Sequence, residues 1–187
     1  MIIPSAYFAP IHYYHILSTN AEVMIEQYDN YQKQTFRNRC QIAGANGVQM
    51  LTVPIQKYDG EKCLMKDVKI SDHNNWQHNH WMAIVSAYGN SPFFEFYADD
   101  ILRFFTKKWE YLYDFNMEIT IALCRLLDID CRLLASSCFH NDFEQAVEET
   151  VISKPYYQVY KEKYGFIANL SILDLLFNMG NESAFYL

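Results

Sequence analysis

The first 28 residues constrain the fold more than any other part of the chain. Residues 2–8, IIPSAYF, are apolar and too few for a stable helix, and Pro4 confines them to an edge strand or to a strand that starts after it. Pro10 suits the first position of a helix, IHYYHILS supplies its turns, and Asn20 precedes EVMIEQY, a second apolar strand. Strand, helix and strand in that order predict an α/β class, single domain, with a mixed sheet.

The next segments are read from turn residues and periodicity. Residues 29–47 are polar and aromatic without a repeat, which predicts an irregular segment closed by GANG. VQMLTVPI reads as a strand ending near Pro54. CLMKDVKIS alternates from Leu64 to Ile70 and reads as a fourth strand, paired to the third by a hairpin across YDGE. Ser71 or Asp72 is positioned to cap a helix on which Trp76, His80, Ala83, Ile84 and Ala87 recur at helical spacing, with Gly89 as its stop.

A second helix is predicted from Ser91-Pro92 through FFEFYADDILRFFT and a third over 109–127. CRLLASSC reads as the last strand, and Asn141 or Asp142 as the cap of a short acidic helix. SKPYY opens a C-terminal portion in which Ser171 and Asp174 form a capping-box variant before a helix that Gly180 ends. At 187 residues the expectation is one domain over 1–187, an α/β core over 1–140 followed by a largely helical portion over 141–187.

Composition excludes several classes. With 51% hydrophobic and 17% aromatic residues the chain is not a disordered one. Acids outnumber bases 22 to 15, so a nucleic-acid backbone is not the expected partner. MIIPSAYFAPIH lacks the basic flank and apolar core of a secretory signal, and no run is long enough to span a bilayer, so no membrane insertion and a cytoplasmic location are expected. Five cysteines without a CxxC predict reduced thiols rather than a disulfide framework or a zinc ribbon.

Charge is segregated. Residues 109–150 hold nine acids against Arg125 and Arg132, whereas 31–70 hold seven bases against three acids. From Asn30 to Tyr58 there is no Asp or Glu, yet Lys33, Arg37, Arg39 and Lys57 all fall there. On an extended segment Arg37 and Arg39 project to one side, as planar donors able to grip a carboxylate or phosphate. Asn38 can orient a ligand and Lys33 adds a point charge. This is a candidate site for a small anionic or nucleotide-activated substrate. The competing reading is that acids from 109–150 occupy these arginines across the fold.

Several stretches together resemble the WbqC-like protein family: YFAP near the start, YQKQTFRNRC, LTVPI, Trp76 and His80 followed by Tyr88 and SPFFEFY, and FIANLSILDLLFNMG at the end. The resemblance covers Lys33, Asn38 and Arg39. It implies a role in O-antigen or other surface-polysaccharide biosynthesis, with transfer of glycine or another aminoacyl group, or modification of a sugar, as the suggested activity. It implies no particular catalytic residue.

Other constellations carry rival readings. His12 and His15 meet the outer spacing of the HxGH signature of nucleotidyltransferases and adenylate-forming enzymes, at a strand-to-helix junction suited to phosphate, but Tyr14 replaces its glycine. HNNWQHNH spans His73 to His80, but His78 and His80 are two apart and on different helix faces, so no metal is expected, and the cofactor, if any, is a nucleotide or activated substrate. His80 is a candidate base or pocket wall, with Tyr7, Tyr31 and Trp76 as further lining.

Ser136, Ser137 and Cys138 close the last predicted strand, where open α/β sheets place ligand groups, but no G-x-S-x-G elbow surrounds the serines. SILDLLFNMG carries an apolar surface wider than one stripe, which allows a homodimer. A noncatalytic partner or carbohydrate-binding protein using Tyr28, Tyr31, Phe36 and Trp76 is the third reading.

Overall fold

The computed structural model describes residues 1–140 and 154–187. The opening forms as its sequence predicts, with β1 (Ile2–Pro4), α1 (Ile11–Thr19) and β2 (Glu22–Glu26) in turn. Two further strands, β3 (Arg39–Gly44) and β4 (Gly47–Thr52), precede β5 (Arg132–Ala135). β2 lies between β1 and β5, and both pairings are parallel, with Ile3 opposite Ile25 and Met24 opposite Leu134. Ile3, Val23 and Ile25 are fully buried, as a parallel sheet requires when its faces are covered.

Several expectations are corrected. The first strand stops at Pro4 rather than residue 8, because the chain then turns through Phe8, whose φ is +38°. The segment 29–47 is not irregular throughout: β3 and β4 form an antiparallel hairpin, with Arg39 opposite Thr52 and Gly44 opposite Gly47. GANG is therefore the hairpin turn, and Gly47 at φ +102° supplies the conformation that such a turn needs.

Residues 64–70 make no strand. Met65–Asp67 is a single 3-10 turn, since the backbone N–H groups of Met65 and Lys66 donate to the carbonyls of Asp29 and Gln27. A bridge between Ile55 and Ile70 is what remains of the expected hairpin across YDGE. The mixed sheet thus resolves into a parallel sheet and a separate hairpin within a mixed α/β fold.

The helices α2 (Trp76–Tyr88), α3 (Phe94–Thr106) and α4 (Leu112–Leu126) fall where periodicity places them. α2 lacks its expected side-chain cap; it starts after Asn74 and Asn75, both at positive φ, a conformation asparagine tolerates better than most residues. The acidic helix expected after Asn141 lies outside the described residues. The C-terminal part carries the short α5 (Lys161–Tyr164) and α6 (Ile172–Met179).

Every residue of α6 is buried, so the breadth of its apolar surface packs within the chain. Its start holds the loop after β1. The Ser171 hydroxyl donates to the Phe8 carbonyl at 2.8 Å, and the Ile172 N–H donates to the Ala9 carbonyl at 2.9 Å. YFAP and NLSILDLLF are therefore one structural unit.

Ser171 Oγ also accepts from the Leu173 N–H at 3.3 Å, the usual N-cap bond. Ser171→Ala removes both contacts and is expected to lower unfolding stability by about 1–2 kcal/mol in a urea titration. Asp174 does not complete a capping box. It is buried, and Oδ2 accepts from the Gln158 amide at 2.8 Å and from the Tyr156 hydroxyl.

Candidate functional site

Because β1, β2 and β5 run parallel, their C-terminal ends open on one edge, the position at which open α/β sheets gather ligand groups. The sequence places polar residues there. Glu26 ends β2 and is fully buried, with three donors around its carboxylate: Tyr28 N–H at 2.7 Å, Ser136 Oγ at 2.8 Å and His140 N–H at 3.2 Å. Ser136 follows β5 directly, and its Oγ in turn accepts the Gln27 N–H at 3.0 Å. Ser5 follows β1.

Asn116 reaches this edge from α4. Its amide donates to the Arg37 carbonyl at 2.8 Å and lies 3.4 Å from Ser5 Oγ. The Arg37 guanidinium, 5% exposed, grips Asp29 Oδ2 through Nε at 3.0 Å and through Nη2. Burial pushes the Asp29 carboxyl upward, and the Arg37 charge opposes that rise. Asp29 Oδ1, Asn116 Oδ1, Asn38 Oδ1 and Arg39 Nε are buried and have no hydrogen-bond partner among the described residues.

The acid that occupies Arg37 is therefore Asp29, immediately before the acid-free stretch, and not one from the acid-rich second half. Arg37 is committed internally and is not a free anion donor. Asn38 is likewise structural in its amide, which donates to the Val53 carbonyl at 2.9 Å while the Val53 N–H donates to the Asn38 carbonyl at 2.8 Å. Lys33 is exposed and Arg39 is half-buried, and among the described residues neither has an acidic partner. Tyr31 lies near Arg39: burial raises its hydroxyl pKa, and the Arg39 charge is the largest opposing influence.

Tyr7, Trp76 and His80 do come together, but in the core. The Tyr7 hydroxyl and His80 Nδ1 are 2.9 Å apart, and the Trp76 and His80 rings are 5.1 Å apart between centroids. Burial lowers His80 to about 4, partly offset by the Thr52 backbone, so the imidazole is neutral near pH 7. The Tyr7 N–H donates to the Phe36 carbonyl at 2.9 Å, which ties this group to the Lys33–Arg39 segment.

The HxGH reading loses its phosphate position. The first N–H groups of α1 are all taken by protein: Ile11 donates to Leu170 O, His12 to Asn169 Oδ1 and Tyr13 to Pro10 O. A cleft of about 360 Å³ between the hairpin turn and α2 contains none of the sequence-predicted residues. Glu26, Asp29 and Asn116 were missed. A strand ending in a carboxylate, EVMIE, and an acid abutting a cationic run were the available signals.

The WbqC-like protein family model matches residues 5–153. The chain is also 27% identical to "Uncharacterized protein Rv1507c" of Mycobacterium tuberculosis, over all of this chain and 96% of that protein. No solved structure matches. Among the described residues no helix is long and apolar enough to cross a membrane. The matched span takes in YFAP, the cationic segment and Ser5, Glu26 and Ser136 of the polar edge, and the chain belongs to the WbqC-like protein family.

Proposed function

We propose that this chain is a transferase of O-antigen or other surface-polysaccharide biosynthesis, moving an aminoacyl group such as glycyl, or modifying a sugar, from an activated anionic substrate. The observation that carries the reading is the polar edge of the parallel sheet, where Asp29 Oδ1 and Asn116 Oδ1 are buried acceptors without donors among the described residues. Such atoms cost about 1–3 kcal/mol each unless a donor reaches them, and sugar hydroxyls or an amino group are donors of the right kind. Lys33 and Arg39, lacking acidic partners among the described residues, supply the charge for a phosphate or carboxylate. Arg37 holds Asp29 in place, and Tyr31 flanks Arg39.

Thermal-shift titration with nucleotide sugars and nonhydrolysable aminoacyl-adenylate analogues tests this. A ligand at a hundred times its dissociation constant should stabilise the protein by about 2.7 kcal/mol. Arg39→Ala should weaken that ligand roughly tenfold or more while leaving the ligand-free melting temperature nearly unchanged. No response to any anionic ligand, or an undiminished response in Arg39→Ala, would contradict the reading.

A further inference from the structure

The same sheet edge carries a pair of side chains that the substrate seat does not use. Cys138 lies three residues beyond β5, and its Sγ is 3.8 Å from His140 Nε2. Of the five thiols, Cys40 and Cys124 are buried, Cys63 and Cys131 are half-buried, and Cys138 alone is exposed. Burial raises the Cys40 thiol and pushes Cys124 up to about 12, which makes both poor nucleophiles.

The loop that presents the pair is fixed by the fold. Ser136 N–H donates to the Ile25 carbonyl at 3.1 Å and Ser136 Oγ to Glu26 Oε1 at 2.8 Å, while His140 N–H donates to Glu26 Oε2 at 3.2 Å. One buried carboxylate thus holds both ends of residues 136–140, and the turn between them brings sulfur and imidazole together. Ser136 itself is committed to Glu26 and Gln27 and is buried, so it is not the nucleophile.

We infer that Cys138 and His140 are a nucleophile and base for acyl transfer, with an activated acyl group, a thioester or an acyl phosphate, as the substrate class. The inference rests on the transferase reading and names its chemistry. His140 takes the thiol proton as Sγ attacks the acyl carbon; the S–C bond forms, the bond to the leaving group breaks, and the proton passes to that group. In the second step a sugar hydroxyl or amine attacks the thioester. Its proton goes to His140, the new C–O or C–N bond forms, and the S–C bond breaks. The proton then returns to sulfur. No oxidant or reductant is needed.

Two measurements on the full chain test the pair. Iodoacetamide labelling followed by peptide mass spectrometry should show Cys138 modified roughly tenfold faster than Cys63 near pH 6.5, and Cys138 itself labelled roughly several-fold more slowly in His140→Ala than in the wild type. That variant keeps the backbone bond to Glu26. The N-acetylglycyl thioester of N-acetylcysteamine should acylate Cys138 in the wild type, not in Cys138→Ser, and roughly tenfold more slowly in His140→Ala.

Equal labelling of wild type and His140→Ala overturns the pairing. Fast labelling without acylation overturns the acyl-transfer assignment. If ligand stabilisation through Arg39 persists in either case, the substrate seat stands and only this inference falls.

Discussion

Asp29→Ala is expected to cost about 3–5 kcal/mol of unfolding stability, because it leaves the Arg37 guanidinium charged, 5% exposed and without its counter-ion. The change should appear as a lower urea midpoint with an unchanged slope. Pairing Asp29→Ala with Arg37→Met should recover much of the loss, since the desolvated charge leaves with its partner and methionine fills comparable space. If Arg37 instead stood in solvent as a free anion clamp, Asp29→Ala would cost about 1 kcal/mol or less and the second change would recover nothing.

The second large effect is a pair of opposed titrations. Asp174 is raised by burial to about 6 from 3.8, so the folded chain takes up a proton before the unfolded one and stability rises as pH falls through 6 toward 4. His80 is lowered by burial to about 4 from 6.5, so the unfolded chain is protonated first and stability falls as pH drops from 6.5 to 4. Shifts of this size correspond to about 3 kcal/mol each, with opposite sign over nearly the same window.

Their contributions nearly cancel in the wild type. Asp174→Asn should therefore steepen acid destabilisation between pH 6.5 and 4 by about 3 kcal/mol, and His80→Gln should reverse the slope relative to wild type by a similar amount. Urea unfolding at several pH values reads both. Parallel curves for wild type and the two variants would contradict the assignment of these groups as the buried titrating pair.

What could be read in advance followed physical range. The three long helices and the strands around Ile3, Val23 and Leu134 are set by local periodicity, and they lie where the pattern puts them. Residues 64–70 alternate like a strand, but the N–H groups of Met65 and Lys66 bond to the carbonyls of Asp29 and Gln27, a tertiary choice that alternation does not encode. Arg37 and Arg39 look alike on an extended segment. Only the fold separates them, setting Arg37 against Asp29 and leaving Arg39 beside Tyr31.

The site shows the same division. Its cationic segment is visible as a run, whereas Glu26, Asn116 and Ser136 come from β2, α4 and the end of β5 and share no sequence neighbourhood. Cys138 and His140 are two residues apart, so their proximity is local. The anchoring of their loop to Glu26, 114 positions away from His140, is not.

Hydrogen exchange with and without the best-stabilising nucleotide sugar or aminoacyl-adenylate analogue tests the substrate seat most directly. Slowed exchange is expected in residues 5–10, 31–39 and 136–140, and none in the cleft formed by Arg103, Lys107 and Trp109. Protection confined to that cleft, or to the hairpin turn at residues 44–47, would place the ligand elsewhere and contradict a seat at the C-terminal edge of the parallel sheet.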